Sequence, residues 1–288
     1  MLKALERNIA SVDERIVLVA PSVASVSDFF KNVDVDADRH RQLVRDVQRF
    51  RGSIYLHDGA ITHQDVSADG RHQTPEDDSG WHVLLLNKPQ QITASALYLE
   101  HDNTIAAENL RVRHSPLAQQ DQWRPKLWKA VRSELAVARN EHLRYVELGG
   151  WAVAPESRRT SGPLTMALAV YGFSRRCGGA LGMTTATFRH CSAVILQRLG
   201  GSRFEVDGAT LPPYYDPRYK CMMEMLRFDS RRPNPKYIDL IDRLRDKLAD
   251  ALVITRPATN GIASPYATAK AYEGALASEP FVQPSFAA

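Results

Sequence analysis

The stretch from Tyr145 to Gly201 constrains this chain most. It reads YVELGGWAVAP, ESRRTSGPL, TMALAVYGFSRRCGG, ALGMTTATF and RHCSAVILQRLGG in succession. A strand-like apolar run closes at Val153-Ala154-Pro155. A loop bearing Arg158, Arg159 and Gly162 opens directly into a helical pattern, then come a second apolar strand and a second helix that stops at Gly200-Gly201. A loop rich in backbone donors, set at a helix N-terminus between two strands, is a physical device for holding phosphate.

Charge supports an anionic ligand there. The whole chain carries a net charge of only +4, too weak to argue for nucleic acid. Between Ser157 and Phe204, however, lie arginines 158, 159, 175, 176, 189, 198 and 203, with no Asp or Glu among them. That local field would attract a phosphate-bearing ligand or an acidic partner surface, although any one of these arginines reads equally well as a solvated helix-face residue.

Other chemistries are less visible. Cys177, Cys191 and Cys221 form no CxxC pair, which fits a reducing, cytoplasmic setting without a disulfide framework. The nine His are scattered and give no metal-ligand spacing, so no metal is expected. The N-terminal residues carry dispersed charges and no signal-peptide pattern. No apolar run approaches the ~18 residues that span a bilayer, so stable membrane insertion is not expected.

The remaining pattern frames the central stretch. Residues 1–35 read as an N-terminal extension, residues 36–254 as one domain, and residues 255–288, rich in Ala, Pro, Ser and Gly, as a disordered or loosely attached tail. A helix starts near Asp36-Ala37-Asp38 and breaks at Gly52. His57 to Gly80 reads as a long polar loop, of the kind that is often functional. Two strands follow, Trp81–Asn87 and Ile92–Glu100, joined at Lys88-Pro89-Gln90 as a hairpin. Trp123, Leu127, Val131, Leu135 and Ala138 mark an amphipathic helix over 121–142. LPPYYDPRY reads as a proline-punctuated loop, Cys221–Phe228 as a strand, and 237–252 as a last helix. The class is α+β, a central mixed sheet with helices on both faces.

In order and residues, Tyr145–Gly201 resembles the GCN5-related N-acetyltransferase (GNAT) superfamily. In that family a strand ending in a V-x-P-like turn meets an R-G-x-G-x-G/A loop whose amides bind the coenzyme A pyrophosphate. The corresponding loop here is Arg159-Thr160-Ser161-Gly162-Pro163-Leu164, where Arg159 and Gly162 match and Pro163 removes one amide donor. Glu147-Leu148-Gly149-Gly150-Trp151-Ala152-Val153 resembles the E-x-S-R-F-A-V strand of acyl-homoserine-lactone synthases and long-chain N-acyl amino acid synthases. Gly150 stands at that strand's arginine, Leu97 at the arginine of the second hairpin strand, and Leu196 at the tyrosine that is a frequent general acid. The resemblance covers roughly residues 38–228.

It implies an N-acyltransferase that moves an acyl group from acyl-CoA, or from an acyl carrier protein thioester, to the amine of a small molecule or amino acid. Val153, Arg158, Arg159, Thr160, Ser161, Gly162, Leu164 and Ser192 would hold the phosphopantetheine-linked donor. Such a transfer must deprotonate the amine, stabilise an oxyanion and receive the leaving thiolate. Glu147 is the candidate base, its bland alternative being a carboxylate paired with an arginine. The backbone around Trp151–Val153 would supply the oxyanion donor, and Gly149-Gly150 marks a bulge or a close approach. Tyr214 or Tyr215 would replace the missing acid. His72 and His82 flank the long loop and face the same acceptor site if they are not structural. The substituted motif positions also fit a second reading, a GNAT-like binding or regulatory module without catalysis.

Overall fold

The computed structural model describes residues 15–22 and 26–257. In chain order the elements are β1 (Arg15–Val19), β2 (Asn32–Val35), α1 (Ala37–His57), β3 (Trp81–Leu86), β4 (Ile92–His101), α2 (Pro116–Gln119), α3 (Arg124–Asn140) and β5 (Arg144–Val153). They continue with α4 (Gly162–Arg176), β6 (Ala180–Thr187), α5 (Ser192–Arg198), β7 (Ser202–Arg203), β8 (Glu205–Val206), β9 (Ala209–Thr210), β10 (Tyr214–Asp216), β11 (Cys221–Asp229), α6 (Ile238–Leu248) and β12 (Leu252–Thr255). One mixed sheet runs in the order β10-β11-β6-β5-β4-β3-β1-β12-β2, with β7 added on β11. Among the described residues only the pairs β1–β12, β12–β2 and β5–β6 are parallel.

The sheet is apolar on both sides because helices cover both. Leu18, Val83, Leu85, Ala96, Tyr98 and Val146 face α4 and α6. On the opposite face, Val17, Val19, Leu84 and Leu86 pack on α1, while Tyr145, Leu181, Met183 and Met225 pack on α3. The α+β arrangement with helices on both faces is therefore present. Among the described residues no helix is long and apolar enough to cross a membrane.

Four sequence expectations are corrected by packing. The expected N-terminal extension holds two strands of the domain: β1 lies inside the sheet, between β3 and β12, and β2 forms its far edge. The helix does not break at Gly52, because α1 is capped by the Asp36 carboxylate, which accepts the Asp38 and Arg39 amides at 2.9 Å, and continues to His57. Gly52 serves close approach instead: a Cβ there would lie 2.5 Å from the Gly70 carbonyl oxygen. The last helix stops at Leu248, and Leu252 turns into β12, whose Val253 and Ile254 are buried. The segment LPPYYDPRY is not all loop, since Tyr214–Asp216 adds a strand to β11. The tail expected from 255 onward lies outside the described residues beyond Pro257.

Candidate active site

The site is a gap in the sheet. β5 and β6 pair in register from Arg144↔Ala180 to Leu148↔Thr184 and then part, although β5 continues to Val153 and β6 to Thr187. The two free edges line a cavity of about 830 Å³, together with residues of α1, the 58–80 segment, α5 and the loop around Tyr219. Strand edges left without a neighbour expose backbone donors and acceptors to whatever enters.

A bulge sets the direction of the β5 edge. Leu97 pairs with Gly149 but Ser95 pairs with Ala152, so β5 carries one extra residue there. Gly150 takes φ +60, and a Cβ on it would meet the Leu97 Cβ at 2.9 Å. Beyond the bulge Ala154 N–H donates to the Thr93 carbonyl at 2.8 Å. Because strand amides alternate, Val153 N–H points the other way, into the gap. The bulge expected at Gly149-Gly150 is present.

The loop before α4 is more self-contained than its sequence implies. Thr160 Oγ1 donates to the Ser157 carbonyl at 2.7 Å and accepts the Gly162 amide at 3.0 Å. Pro163 has no amide hydrogen. Among the described residues the amides of Arg159, Ser161 and Leu164 make no hydrogen bond within the chain. Arg159 and Thr160 are exposed, and the Leu164 side chain packs into the core beneath α4. Of the loop's candidate donor-binding residues only Arg158 lines the cavity, beside Val153, Pro163 and Ser192.

Arg158 itself is engaged. Its Nη1 and Nη2 each lie 2.8 Å from an Asp58 carboxylate oxygen, and Nε donates to the Val153 carbonyl at 3.2 Å. Nη1 also donates to His190 Nε2 at 3.1 Å. The arginine-only field of residues 157–204 is largely balanced from outside it. Arg175 pairs with Asp242 and Arg203 with Glu224. Arg176 and Arg189 bind backbone carbonyls of Phe29, Asp58 and Tyr219. Arg159 and Arg198 remain exposed without an ion pair among the described residues. His190 and Cys191 are both left-handed, with φ 56 and φ 59, so α5 begins only at Ser192, which lines the cavity.

Glu147 is a buried clamp that reaches the cavity. Oε2 accepts the Arg111 amide at 2.8 Å and lies 3.0 Å from His101 Nε2, while Oε1 accepts the Val112 amide at 3.0 Å. These bonds fasten the turn at Arg111–His114 to β5. A carboxylate has about four lone-pair positions, so one remains. Tyr214 is buried and lines the cavity, and burial, with Asp216 beside it, pushes its phenol well up. Tyr215 points to the other side of β10, 54% exposed, and is not brought to the site.

Sequence reasoning left unpaired the residues that back this cavity wall, because their partners are far along the chain. Arg51, 1% exposed, spans both oxygens of Asp77 at 2.8 Å each. Asp77 also accepts from Gln48, from the Thr74 amide and from the Thr74 hydroxyl. Burial raises the Asp77 carboxyl, but the Arg51 hydrogen bonds and charge outweigh it and hold the group below its ordinary value. Arg111 lies across Gly149, where a Cβ would meet Nη1 at 2.8 Å, and pairs with Glu76 at 3.4 Å. Arg51 Nη1 would be 3.6 Å from a Gly150 Cβ. Two guanidinium groups from other elements thus stand against the strand positions that read as glycine. His72 and His82 are both drawn to this hub, His82 through the Asp77 carbonyl at 2.8 Å, and only His72 lines the cavity. In sequence the hub shows as a helix with Arg45, Arg49 and Arg51 followed by a loop with Asp58, Asp65, Asp69 and Asp77, an order that is part of the resemblance to acyl-homoserine-lactone synthases.

No protein-family model matches the chain, and no curated protein sequence matches it. Among solved structures it is similar to a CoA-dependent acyl-homoserine lactone synthase, BjaI, with SAM and isopentyl-CoA: TM-score 0.53 at 13% identity, over 90% of this chain and 99% of that one. The same enzyme with MTA gives a TM-score of 0.52 at 13% identity and the same coverage. At such identity the likeness is one of fold, and the fold is GNAT-like.

Proposed function

We propose that the protein is an N-acyltransferase that moves an acyl group from a phosphopantetheine-linked thioester to the amine of a small molecule or amino acid. The observation that carries this reading is the parting of β5 and β6 after Leu148 and Thr184, which leaves the β5 edge free along the cavity. An extended pantetheine arm can hydrogen-bond to that edge as a strand would. The three unused amides of Arg159, Ser161 and Leu164 at the start of α4, with exposed Arg159, suit the phosphates of CoA. A donor carried on an acidic acyl carrier protein would meet the same exposed arginines, Arg159 and Arg198. Ser192 lines the same cavity and is within the proposed reach of the donor.

In the transfer, the amine nitrogen bonds the thioester carbon and the C–S bond breaks. Val153 N–H faces the gap and stabilises the oxyanion. The amine proton passes through one water to the free lone pair of Glu147, whose other bonds fix its position. Tyr214 keeps its proton over the working pH range, because burial pushes its phenol up, and its O–H donates a hydrogen bond to the leaving thiolate, which is finally neutralised by the amine proton that Glu147 releases through water. The test is mass spectrometry of acyl-thioesters that co-purify with the chain, followed by thermal shift with CoA, acetyl-CoA and long-chain acyl-CoA. Stabilisation by a thioester is expected. Its absence with every thioester and with loaded carrier protein would remove the proposal.

One observation favours the second reading, a binding or regulatory module. Arg158 and Glu147 are both held by protein partners. Binding of a thioester without acyl transfer to any amine would select it.

A further inference from the structure

Arg51 fixes the chemistry of His72. Its Nε donates to His72 Nδ1 at 3.2 Å and its Nη2 donates to the His72 carbonyl at 2.6 Å. The guanidinium is locked by the two 2.8 Å bonds to Asp77 and is almost fully buried. Arginine has only donors and does not deprotonate in a protein. Nδ1 must therefore offer its lone pair. A neutral imidazole carries one N–H, so the hydrogen sits on Nε2. Nε2 makes no hydrogen bond among the described residues, and His72 lines the cavity. The ring is steadied edge-on against Tyr55, with centroids 5.4 Å apart.

Protonation of the ring would set an Nδ1–H against the Arg51 Nε–H. Burial, then the Arg51 charge, lowers the His72 pKa from its ordinary value; Arg218 adds to this, while Asp77 and Asp65 oppose it. Tyr55 from α1 packs on the ring, and burial pushes its phenol up. Protonation at Nδ1 would break the Arg51 Nε–H bond, so geometry and burial both favour the neutral ring.

We infer that His72 is a fixed Nε2–H donor in the cavity wall, which binds a carbonyl or carboxylate oxygen of the acyl acceptor and is not a general base. A neutral imidazole that donates rather than titrates is a known way to orient and polarise an oxygen. The role in transfer rests on the proposed function, whereas the tautomer and the oxygen site do not.

The test uses the full chain labelled with 15N-histidine. Two-bond proton–nitrogen correlation spectra report the tautomer, and His72→Gln identifies the resonance by its loss. The expected result is an Nε2–H tautomer that does not become imidazolium as pH falls through the ordinary histidine range. Acetate and acetamide are then titrated against the Nε2 signal. A saturable shift with acetate assigns a carboxylate oxygen, and one with acetamide assigns a carbonyl. An Nδ1–H tautomer, an ordinary titration, or no shift with either probe would overturn the inference. If thioester binding fails while the tautomer and probe binding hold, the acyl-transfer reading falls and the oxygen site stands. In an active preparation, His72→Phe should raise KM for the acceptor about tenfold with little change in kcat, the loss of one hydrogen bond. His72→Gln keeps a donor at the Nε2 position and should restore most of that loss.

Discussion

Arg158 and Asp58 form a two-pronged ion pair in the wall of the cavity at the β5–β6 gap, with both N–O distances at 2.8 Å and the two residues 100 positions apart in sequence. The side chains are 20% and 12% exposed. A guanidinium that sequence reasoning assigns to phosphate is thus bound to a carboxylate. Binding of a pyrophosphate near Arg158 must compete with Asp58.

Asp58→Asn should therefore tighten CoA binding, by freeing one anion competitor, and weaken the fold by about 1–2 kcal/mol, a discounted value for a partly exposed pair. Calorimetric titration with CoA and urea unfolding measure the two effects. Unchanged CoA affinity would make the Arg158–Asp58 pair a purely structural latch between α1 and the α4 loop.

Tyr214 and Tyr215 are neighbours with opposite surroundings, one buried in the cavity wall and the other 54% exposed. Tyr214→Phe should lower acyl-transfer turnover by about 100-fold, the low end for losing one hydrogen-bond donor to transition-state charge, and Tyr215→Phe should leave it unchanged. Steady-state rates at saturating donor decide this, and equal effects from both would remove Tyr214 as the thiolate's donor.

Gly149 and Gly150 differ in what a methyl group would strike. At Gly150 it meets the Leu97 Cβ at 2.9 Å and the residue holds φ +60, so Gly150→Ala should cost about 2–4 kcal/mol in strain and overlap. At Gly149 it meets only the end of the Arg111 side chain, at 2.8 Å, which can move. Gly149→Ala should cost about 1 kcal/mol or less, within the range of a tolerated substitution. Thermal unfolding of the two variants, side by side, tests the bulge.

Acid should weaken the fold in two stages. Burial lowers the pKa of His40, His72 and His82, so between their folded and unfolded values the unfolded chain binds more protons. Their contribution is present above the unfolded value near 6.5 and is lost as pH falls below it. Asp77 and Asp229 are held below their ordinary values, and their contribution fades as pH falls under about 4. Urea midpoints should decline from pH 7 to pH 5 and decline again under pH 4. His82→Gln should flatten the first slope, and a flat profile from 7 to 5 would contradict the buried neutral histidines.

Most of the middle of the chain was legible before its structure. The strand pair over 81–101, the strand–loop–helix–strand run from Tyr145 and the strand at 221 obey local rules of periodicity and breakers. The errors fall where local signals have two meanings. Gly52 reads as a helix stop, yet its bare Cα admits the Gly70 carbonyl inside a continuous helix. Leu252 continues the helical apolar spacing of α6, yet the open sheet edge beside β1 captures it as a strand. Candidate site residues divide the same way. Val153, Arg158, Glu147, Ser192 and Tyr214 meet at one cavity, while Arg159, Thr160, Leu164 and Tyr215 turn outward or into the core.

The sequence by itself determined the order of elements and the α+β class, because alternating apolar patterns, caps and glycine punctuation act over a few residues. It also determined which segment would open beside a helix N-terminus. Only the tertiary structure decided the charges and tautomers of the site. Arg158 finds Asp58, Arg51 finds Asp77 and His72, and Glu147 finds the Arg111 and Val112 amides, through contacts 21 to 100 residues apart in sequence. Ionic and hydrogen-bonding strength depends on burial and on distance in space, neither of which a linear count of arginines and carboxylates contains.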